Sequence, residues 1–452
     1  MSQPGVSYAR RLGLFSGTMV VIGGIIGAGI FRNPSEVAVR VVTPSLTLTA
    51  WVLGGVIALI GAFCYGELGA RNPQAGGGYV YLRDAFGELP AFLYAWSLLL
   101  IIATGAIAGV AVTFANYTVA LLGLSESMTV PLAVGSIVLL SAINYLGVKP
   151  GAITQNIFTV LKLIPLVVLI VAGLFFARSN PPAAAIVPVA APSGFGGIFV
   201  ALGWALVPIL FSYGGWQQAN FIGEEIIDAP RNLPRAILLG VLAVVTIYLL
   251  ANVAYIRALG IEGLAHSTAP AADAMRRTLG PTGGTLIAAG IAISTFGFLN
   301  LVILVSPRVY QAMASDGLFF PQIARLHPVY RTPTAAIIFQ ALWAILLTLT
   351  GKYGDLVDYV VFGDWIFFGL TVATLYVFRK KDREAGIDPA PRGQFRALGY
   401  PVTPALFVLA AAYVVISSIW SNPSNALKGA VLIGLGIPVF LFWRSRRPVR
   451  RV

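Results

Sequence analysis

The chain has 452 residues, of which 58% are hydrophobic and only 10% are charged. Together with a mean hydropathy of +0.84, this composition excludes a soluble globular protein. The net charge of +13 would suggest a nucleic acid partner in a soluble chain, but in a membrane protein it indicates Lys and Arg held on one side of the bilayer. We therefore expect no nucleic acid partner, and one cysteine and two histidines predict no metal site and no cofactor.

Apolar segments bounded by charges, glycine or proline predict an all-α integral membrane protein with twelve transmembrane helices, since each span needs about 20 apolar residues. We number these spans 1 to 12 in chain order. They are predicted at residues 14–39, 44–70, 88–121, 129–146, 153–177, 196–223, 233–256, 283–307, 333–350, 356–378, 402–420 and 425–443.

Basic residues are distributed unevenly between the two sides of this arrangement. Most of the 30 Lys and Arg residues fall on the side of the two termini. The positive-inside rule therefore predicts a cytoplasmic N-terminus at residues 1–13 and a basic cytoplasmic tail at residues 444–452. The cell membrane is the expected location.

Spans 1 and 6 contain glycine-rich interruptions near the middle of the membrane. Residues 23–31 of span 1 read GGIIGAGIF, and in span 6 Pro208 precedes residues 211–216, which read FSYGGW. In span 1 alone, the small residues Gly24 and Ala28 would be equally well explained by close helix packing. Two interruptions five spans apart, however, are typical of transporters built from inverted repeats, with the ligand site at the membrane midplane.

An interrupted helix also indicates what the site binds. Unwound backbone frees N–H and C=O groups, which persist in a membrane only when they are buried in protein or line a cavity. Free N–H groups at a half-helix N-terminus attract an anion, and free carbonyls at a half-helix C-terminus attract a cation. An α-amino acid carries a carboxylate and an ammonium a few ångströms apart, so it satisfies both ends.

Three stretches of the sequence carry a family resemblance. Residues 25–31 read IIGAGIF, residues 211–216 read FSYGGW, and residues 224–234 read EEIIDAPRNLP. They resemble the amino acid–polyamine–organocation superfamily, specifically a bacterial-type member of its L-type amino acid transporter branch, and the match runs over nearly the whole chain. The resemblance implies a LeuT-like fold with a five-plus-five inverted repeat, discontinuous helices 1 and 6, and alternating access. The repeats would be residues 14–177 and 196–378, followed by spans 11 and 12 at residues 402–443.

The resemblance further implies how the substrate is held. Its carboxylate would bind the backbone N–H groups of Ala28 and Gly29, and its ammonium the carbonyls of Ile25, Phe211 and Gly214. Phe211 would also close over the substrate as an outer gate. This chain has alanine at position 28, where many relatives have serine, so the resemblance does not determine which substrate side chain is preferred. The predicted substrate-binding residues are Ile25, Ile26, Gly27, Ala28, Gly29, Ile30, Phe211, Ser212, Gly214 and Gly215.

Lys162 lies inside span 5 with apolar neighbours on all faces, and ionisable residues at this depth are costly and usually functional. Its ammonium can sit where other members of this fold class place a sodium ion, between spans 1 and 8, and the resemblance supports this. The expected partners are the carbonyl of Gly24 or nearby backbone and the hydroxyl of Ser294 or Thr295. Sodium-independent transport would follow, while proton coupling through Lys162 stays open. The predicted gating or coupling residues are Gly24, Lys162, Phe211, Trp216, Ser294 and Thr295.

Two further sets of charges allow local predictions. Glu67 and Arg71, one helical turn apart in span 2, would form an ion pair. The loop after span 6 would pair its acidic residues with its arginines when an inner gate closes, and these residues are Glu224, Glu225, Asp228, Arg231 and Arg235.

These features favour a secondary transporter of neutral L-amino acids, an exchanger or uniporter that works without sodium, and a proton-coupled symporter using Lys162 is the alternative. A carrier of cationic amino acids or polyamines is less favoured, because only Asp364 is placed to supply a carboxylate to the pocket. Asp364 is expected in the first turns of span 10, either lining an outer vestibule or at the membrane interface. A channel or an enzyme is not favoured, because the spans show no continuous polar stripe and no clustered catalytic residues.

The resemblance also bears on partners. Animal members of the branch attach to an ancillary glycoprotein through a cysteine in the loop between spans 3 and 4. That loop has no cysteine here, and Cys64 lies inside span 2. We therefore expect L-amino acids and the lipid bilayer as partners, and no disulfide-linked subunit.

Overall fold

A computed structural model describes residues 6–177, 194–350, 353–387, 395–421 and 423–446. The regular secondary structure of these ranges is helical, with no β-strand among them. Nine of the described helices are long and apolar enough to cross a membrane, and a further span is a pair of helices bent by 45°. Adding the shorter apolar helix Thr334–Thr350 and the long helix Tyr353–Glu384 gives the twelve spans predicted from the sequence.

Consecutive spans run in opposite directions, so we refer to the side on which span 1 begins as the N-terminal side and to the opposite side as the far side. In chain order the spans are Leu14–Ile25 with Gly29–Val41, Pro44–Arg71, Glu88–Leu122, Glu126–Tyr145, Val148–Phe176, Gly194–Tyr213 with Trp216–Glu225, Ala229–His266, Pro281–Val305, Thr334–Thr350, Tyr353–Glu384, Val402–Ser421 and Pro423–Ser445.

Several helices are longer than their apolar segments. Span 5 begins at Val148 rather than at residue 153, and span 7 continues to His266 through a kink at Gly260. Two short helices that pair apolar and charged residues, Gly78–Phe86 and Pro270–Leu279, were not predicted. The sequence prediction stopped each helix at the first charge, but a helix continues into the polar interface wherever its backbone hydrogen bonds can be completed.

Small residues let the helices around the site approach closely. A Cβ atom on Gly54 of span 2 would lie 2.2 Å from Ile209 of span 6, and one on Gly55 would lie 2.9 Å from Val245 of span 7. Glycine is required at both positions for the backbones to pack at this distance. Span 2 therefore packs closely against both span 6 and span 7 next to the interruption of span 6.

Candidate functional site

Span 1 is interrupted as predicted. Its first helix ends at Ile25 and its second begins at Gly29. Between them, the backbone N–H groups of Gly27, Ala28 and Gly29 donate to no carbonyl in the described part of the chain. Ala28 is exposed, whereas Ile26 is fully buried. The second half of the span thus presents free N–H groups and the positive end of its dipole to an opening in the protein.

Span 6 is interrupted after Tyr213, and its second half differs from the expected α-helix. Residues Trp216–Glu225 are wound as 3₁₀-helix in two pieces, which meet at a kink at Ile222. Gly215 joins the two halves with φ at 112°, a left-handed conformation that favours glycine, and its N–H donates to the side-chain oxygen of Gln217 at 3.0 Å. The tighter 3₁₀ winding satisfies backbone groups that would be orphaned at the start of an α-helix.

The two interruptions touch each other through glycines. A Cβ atom on Gly215 would lie 2.1 Å from the carbonyl oxygen of Gly24, and a Cβ on Gly29 would lie 2.9 Å from Oγ of Ser212. On the far side, Asn33 donates to Oγ of Ser212 at 2.8 Å and ties the second half of span 1 to the first half of span 6. Gly24, Gly29, Ser212 and Gly215 therefore position the backbone at the site.

The carbonyls that the resemblance assigns to an ammonium differ in their free capacity. The carbonyl of Ile25 accepts from the hydroxyl of Tyr248 at 3.1 Å, and that of Phe211 accepts from the N–H of Gly214 at 3.2 Å. The carbonyl of Gly214 has no donor among the described residues. Ile30, also among the predicted residues, is buried, and its carbonyl accepts from the hydroxyl of Tyr255 at 3.1 Å.

Lys162 reaches the interruption of span 1 from span 5. Its Nζ donates to the carbonyls of Gly23 at 3.0 Å and Ile26 at 2.8 Å, and its side chain is completely buried. Gly24, the first acceptor expected from the sequence, instead packs against Gly215. A Cβ on Gly297 of span 8 would lie 3.7 Å from Nζ, so span 8 borders the ammonium, as anticipated.

The two hydroxyls predicted beside Lys162 have different partners. Ser294 donates to the carbonyl of Ile26 at 3.5 Å, so it shares an acceptor with the ammonium. Thr295 donates within its own helix, to the carbonyls of Ile291 and Ala292. The hydroxyl of Thr295 therefore donates to its own helix and not to the acceptors that Lys162 uses.

A chain of buried polar side chains continues from this point toward the N-terminal side. Thr159 donates to the carbonyl of Met19 at 3.2 Å and accepts from Gln155 at 3.1 Å. Asn300 of span 8 donates to Gln155 at 3.1 Å and accepts from Asn144 of span 4 at 3.0 Å. Sequence reasoning missed this network, although amides inside apolar spans are themselves a signal of interhelical hydrogen bonds.

The two aromatic residues assigned to gating face different environments. Phe211 is 43% exposed, on the far side of the interruption. Trp216 is 2% exposed and packs edge-on against Tyr65 at 4.9 Å, and its ring centroid lies 6.2 Å from that of Phe368 in span 10. Phe211 is therefore accessible at the surface, whereas Trp216 is packed between spans 2 and 10.

On the N-terminal side of Trp216, a buried ion pair joins Arg308 to Glu225. Arg308, at the end of span 8, donates to the two carboxylate oxygens of Glu225 at 3.0 and 3.1 Å, and neither side chain is exposed. The prediction that Glu225 pairs with arginines of the following loop is therefore wrong, because Glu225 still belongs to span 6 and faces the bundle. In that loop, Asp228 does approach Arg231, at 3.8 Å.

The N-terminal segment lies across this ion pair. The N–H groups of Arg11 and Leu12 donate to the carbonyl of Glu225 at 2.9 and 3.0 Å, and the ring of Tyr8 lies 5.8 Å from the guanidinium of Arg308. Burial raises the pKa of Tyr8, so its hydroxyl stays protonated and donates to Gln311 at 3.3 Å. A cavity of about 320 Å³ outside this contact is lined by residues that include Tyr8, Arg83, Glu224 and Asp316.

The predicted ion pair of Glu67 with Arg71 is present at 4.0 Å, but each residue has a closer partner on span 10. Glu67 is 1% exposed and accepts from Arg379 of span 10 at 2.9 and 2.5 Å, whereas Arg71 is 4.0 Å away. Arg71 pairs with Asp382 at 2.7 Å. Two arginine–carboxylate pairs therefore join spans 2 and 10 on the N-terminal side.

The site contains no metal-binding constellation: the described residues include no group of three or more His, Cys, Asp or Glu side chains that could hold an ion. What it contains is free backbone at two touching interruptions, one buried ammonium, and a closure on one side. Free backbone groups of both polarities inside an all-helical membrane bundle are typical of a membrane transporter for a small polar solute.

Comparison with known proteins agrees with this class. A family model for amino acid permeases matches residues 12–442. The large neutral amino acids transporter small subunit 2 of Mus musculus is 31% identical over 98% of this chain and 83% of the relative. The human b(0,+)-type amino acid transporter 1 is 32% identical over 96% of this chain and 88% of the relative. The chain belongs to the amino acid permease family of the amino acid–polyamine–organocation superfamily, in its L-type branch, and is an amino acid transporter of the membrane rather than an enzyme.

Proposed function

We propose that this protein carries neutral L-amino acids across the cell membrane by alternating access, as an exchanger or uniporter that does not use sodium. The observation that supports sodium independence is the position of Lys162. Its ammonium donates to the carbonyls of Gly23 and Ile26 at the interruption of span 1. A sodium ion bound to the same oxygens would have to displace a fixed positive charge, which the low-dielectric interior strongly disfavours.

The α-carboxylate and α-ammonium of the substrate would be bound by backbone groups of this protein. Its carboxylate would bind the free N–H groups of Ala28 and Gly29, and its ammonium the free carbonyl of Gly214, with Ile25 and Phe211 as further acceptors. Each carbonyl oxygen has two lone pairs, so one existing hydrogen bond does not prevent a second. The relatives named as large neutral amino acids transporters support neutral side chains.

Alternating access is supported by the asymmetry of the two sides. Phe211 is exposed toward the far side, while the buried Glu225–Arg308 pair closes the N-terminal side. We place the N-terminal side, with both termini, in the cytoplasm because it holds most of the basic residues. On this assignment, the described arrangement receives substrate from outside. The repeats that exchange position would be residues 14–177 and 196–378.

The name of the mouse relative includes the words small subunit, so that protein belongs to a larger assembly. For this chain we propose that no disulfide links such a partner. Its one cysteine, Cys64, is fully buried in span 2 and cannot meet the thiol of another chain.

A second candidate is proton-coupled symport, which is favoured by one observation. No carboxylate among the described residues forms an ion pair with Lys162, and its ammonium is held by the carbonyls of Gly23 and Ile26. Release of the proton would free the two carbonyls at the interruption. A pH gradient therefore has to be tested beside a sodium gradient.

Purified protein in liposomes decides between these functions. Uptake of labelled leucine should saturate, should not respond to a sodium gradient, and should accelerate when unlabelled leucine is present inside. Acceleration by an inward proton gradient alone would instead support the symporter. Absence of uptake for every neutral amino acid in a panel would refute the proposal, and protein-free liposomes are the control.

A further inference from the structure

Asp364 is the twelfth of the 32 residues of span 10, about three helical turns from its beginning and a little deeper than the first turns expected from the sequence. The residue before it, Gly363, faces Ile102 of span 3, where a Cβ would lie 3.4 Å away. The residue after it, Trp365, stacks on Phe407 of span 11 at 6.0 Å. Because successive helical residues are rotated by about 100°, Asp364 points between the directions of spans 3 and 11, and within about 40° of the direction of Phe368, four residues further along.

The depth of Asp364 matches that of the interruptions. Phe368, one turn further along span 10, contacts Trp216 with ring centroids 6.2 Å apart. Trp216 directly follows Gly215 at the interruption of span 6. Asp364 therefore stands about one helical turn, ~6 Å, toward the far side from this contact, at the level where the substrate's α-groups would bind.

The carboxylate of Asp364 opens on the interior of the bundle. Its side chain is partly exposed, although Gly363 and Trp365 on either side are buried. Among the described residues no Lys, Arg or His forms an ion pair or hydrogen bond with it.

An acidic side chain at membrane depth without a cationic partner is costly and points to a partner that comes from outside the chain. We propose that Asp364 binds the cationic end of a substrate side chain, so that the carrier also accepts amino acids that end in an ammonium or a guanidinium. This inference rests on the proposed function, since it takes the α-groups to be held at the two interruptions. It extends the substrate range beyond neutral amino acids.

The geometry suits long side chains. The gap between the interruption of span 6 and span 10 is bridged near this level by the single side chain of Trp216, which ends on Phe368. A lysine or arginine side chain has comparable reach. A substrate held at Gly214 by its ammonium can therefore extend its side chain toward Asp364, whereas a short side chain leaves the carboxylate to water.

Wild-type protein in liposomes gives the first test, with labelled leucine as the reporter. Arginine and citrulline have nearly the same shape, but only arginine is charged. Arginine should inhibit leucine uptake at concentrations at least tenfold lower than citrulline. Equal inhibition by the two would overturn the inference while leaving the proposed function intact, and absence of leucine uptake would instead reject the proposed function.

The variant Asp364→Asn gives the second test, because it removes the charge and keeps the shape. The tenfold preference for arginine should disappear in this variant, whereas Asp364→Glu should retain it. Glu262→Gln, which removes an exposed charge at the far end of span 7, is the matched control and should behave as wild type. A preference that survives in Asp364→Asn overturns the inference. If Asp364→Asn does not fold, Asp364→Glu decides, since indifference between arginine and citrulline in that charged variant would equally overturn it.

Discussion

Two carbonyl oxygens at the interruption of span 1, those of Gly23 and Ile26, are satisfied by the one side chain of Lys162. Lys162→Ala leaves the buried carbonyl of Gly23 without this donor, and that of Ile26 with only the hydroxyl of Ser294 at 3.5 Å. A buried carbonyl without a hydrogen-bond partner costs about 1–3 kcal/mol. We expect leucine uptake in liposomes to fall at least about tenfold. Lys149→Ala, at the exposed beginning of the same span, should transport as wild type. Wild-type uptake by Lys162→Ala would remove this residue from the mechanism.

Gly215 is a second position where a single added atom, a Cβ, should disrupt the site. Its φ of 112° is unfavourable for other residues, and an added Cβ would meet the carbonyl oxygen of Gly24 at 2.1 Å. Gly215→Ala should therefore lose about 1–3 kcal/mol through backbone strain alone, and more through separation of the two interruptions. We expect a lower unfolding temperature in detergent and no leucine uptake.

The matched control for this change is Gly135→Ala in span 4. Gly135 is exposed, lies within the helix, and has no atom within 4 Å of an added Cβ. Alanine there should be neutral or stabilising by up to about 1 kcal/mol. Equal behaviour of the two variants would show that the contact between Gly215 and Gly24 does not constrain the protein.

At the scale of helices, the sequence was most informative where a span contains residues that disfavour a helix. Glycines in the middle of apolar spans predicted both interruptions, because their cost in a helix needs a reason. The 3₁₀ winding of Trp216–Glu225 was not predictable, since it depends on which backbone groups find partners after the fold has formed. For the same reason the sequence did not indicate that Arg308 would be the partner of Glu225.

The Glu225–Arg308 pair joins the ends of spans 6 and 8 with both charges fully buried. Breaking a buried pair by removing one partner costs about 3–5 kcal/mol, because the other charge stays uncompensated. Arg308→Ala should therefore destabilise the arrangement closed on the N-terminal side and favour one that opens there. Leucine exchange should slow, because substrate would find fewer molecules open to the far side.

Thiol labelling checks this change in population. In a Cys64→Ser background, a cysteine placed at the buried position Ala219 in Arg308→Ala should react faster with a reagent added to the N-terminal side. The control is Arg276→Ala, which breaks the exposed pair with Asp273 on the far side and should leave the labelling rate unchanged. Unchanged labelling in Arg308→Ala would mean that the pair does not hold this side closed.

In the molecule as a whole, the twelve spans could be predicted from hydrophobicity. The closure of the N-terminal side could not, because it depends on contacts between segments that are distant in the sequence. Tyr79 and Arg83 meet Asp316 at 2.8 and 2.9 Å on the N-terminal side, outside the Glu225–Arg308 pair. Such contacts join parts of the chain with no local pattern in common. They close the side where the basic residues are concentrated, so charge distribution and closure should both mark the cytoplasmic face.

This orientation can be measured directly in intact cells that express single-cysteine variants in a Cys64→Ser background. Ser125, in the loop between spans 3 and 4, and Ser315, after span 8, are both exposed and lie on opposite sides of the bundle. A membrane-impermeant thiol reagent should label Ser125→Cys and should reach Ser315→Cys only after the cells are opened. The reverse pattern would place the closed side outside and would mean that substrate enters the described arrangement from the cytoplasm.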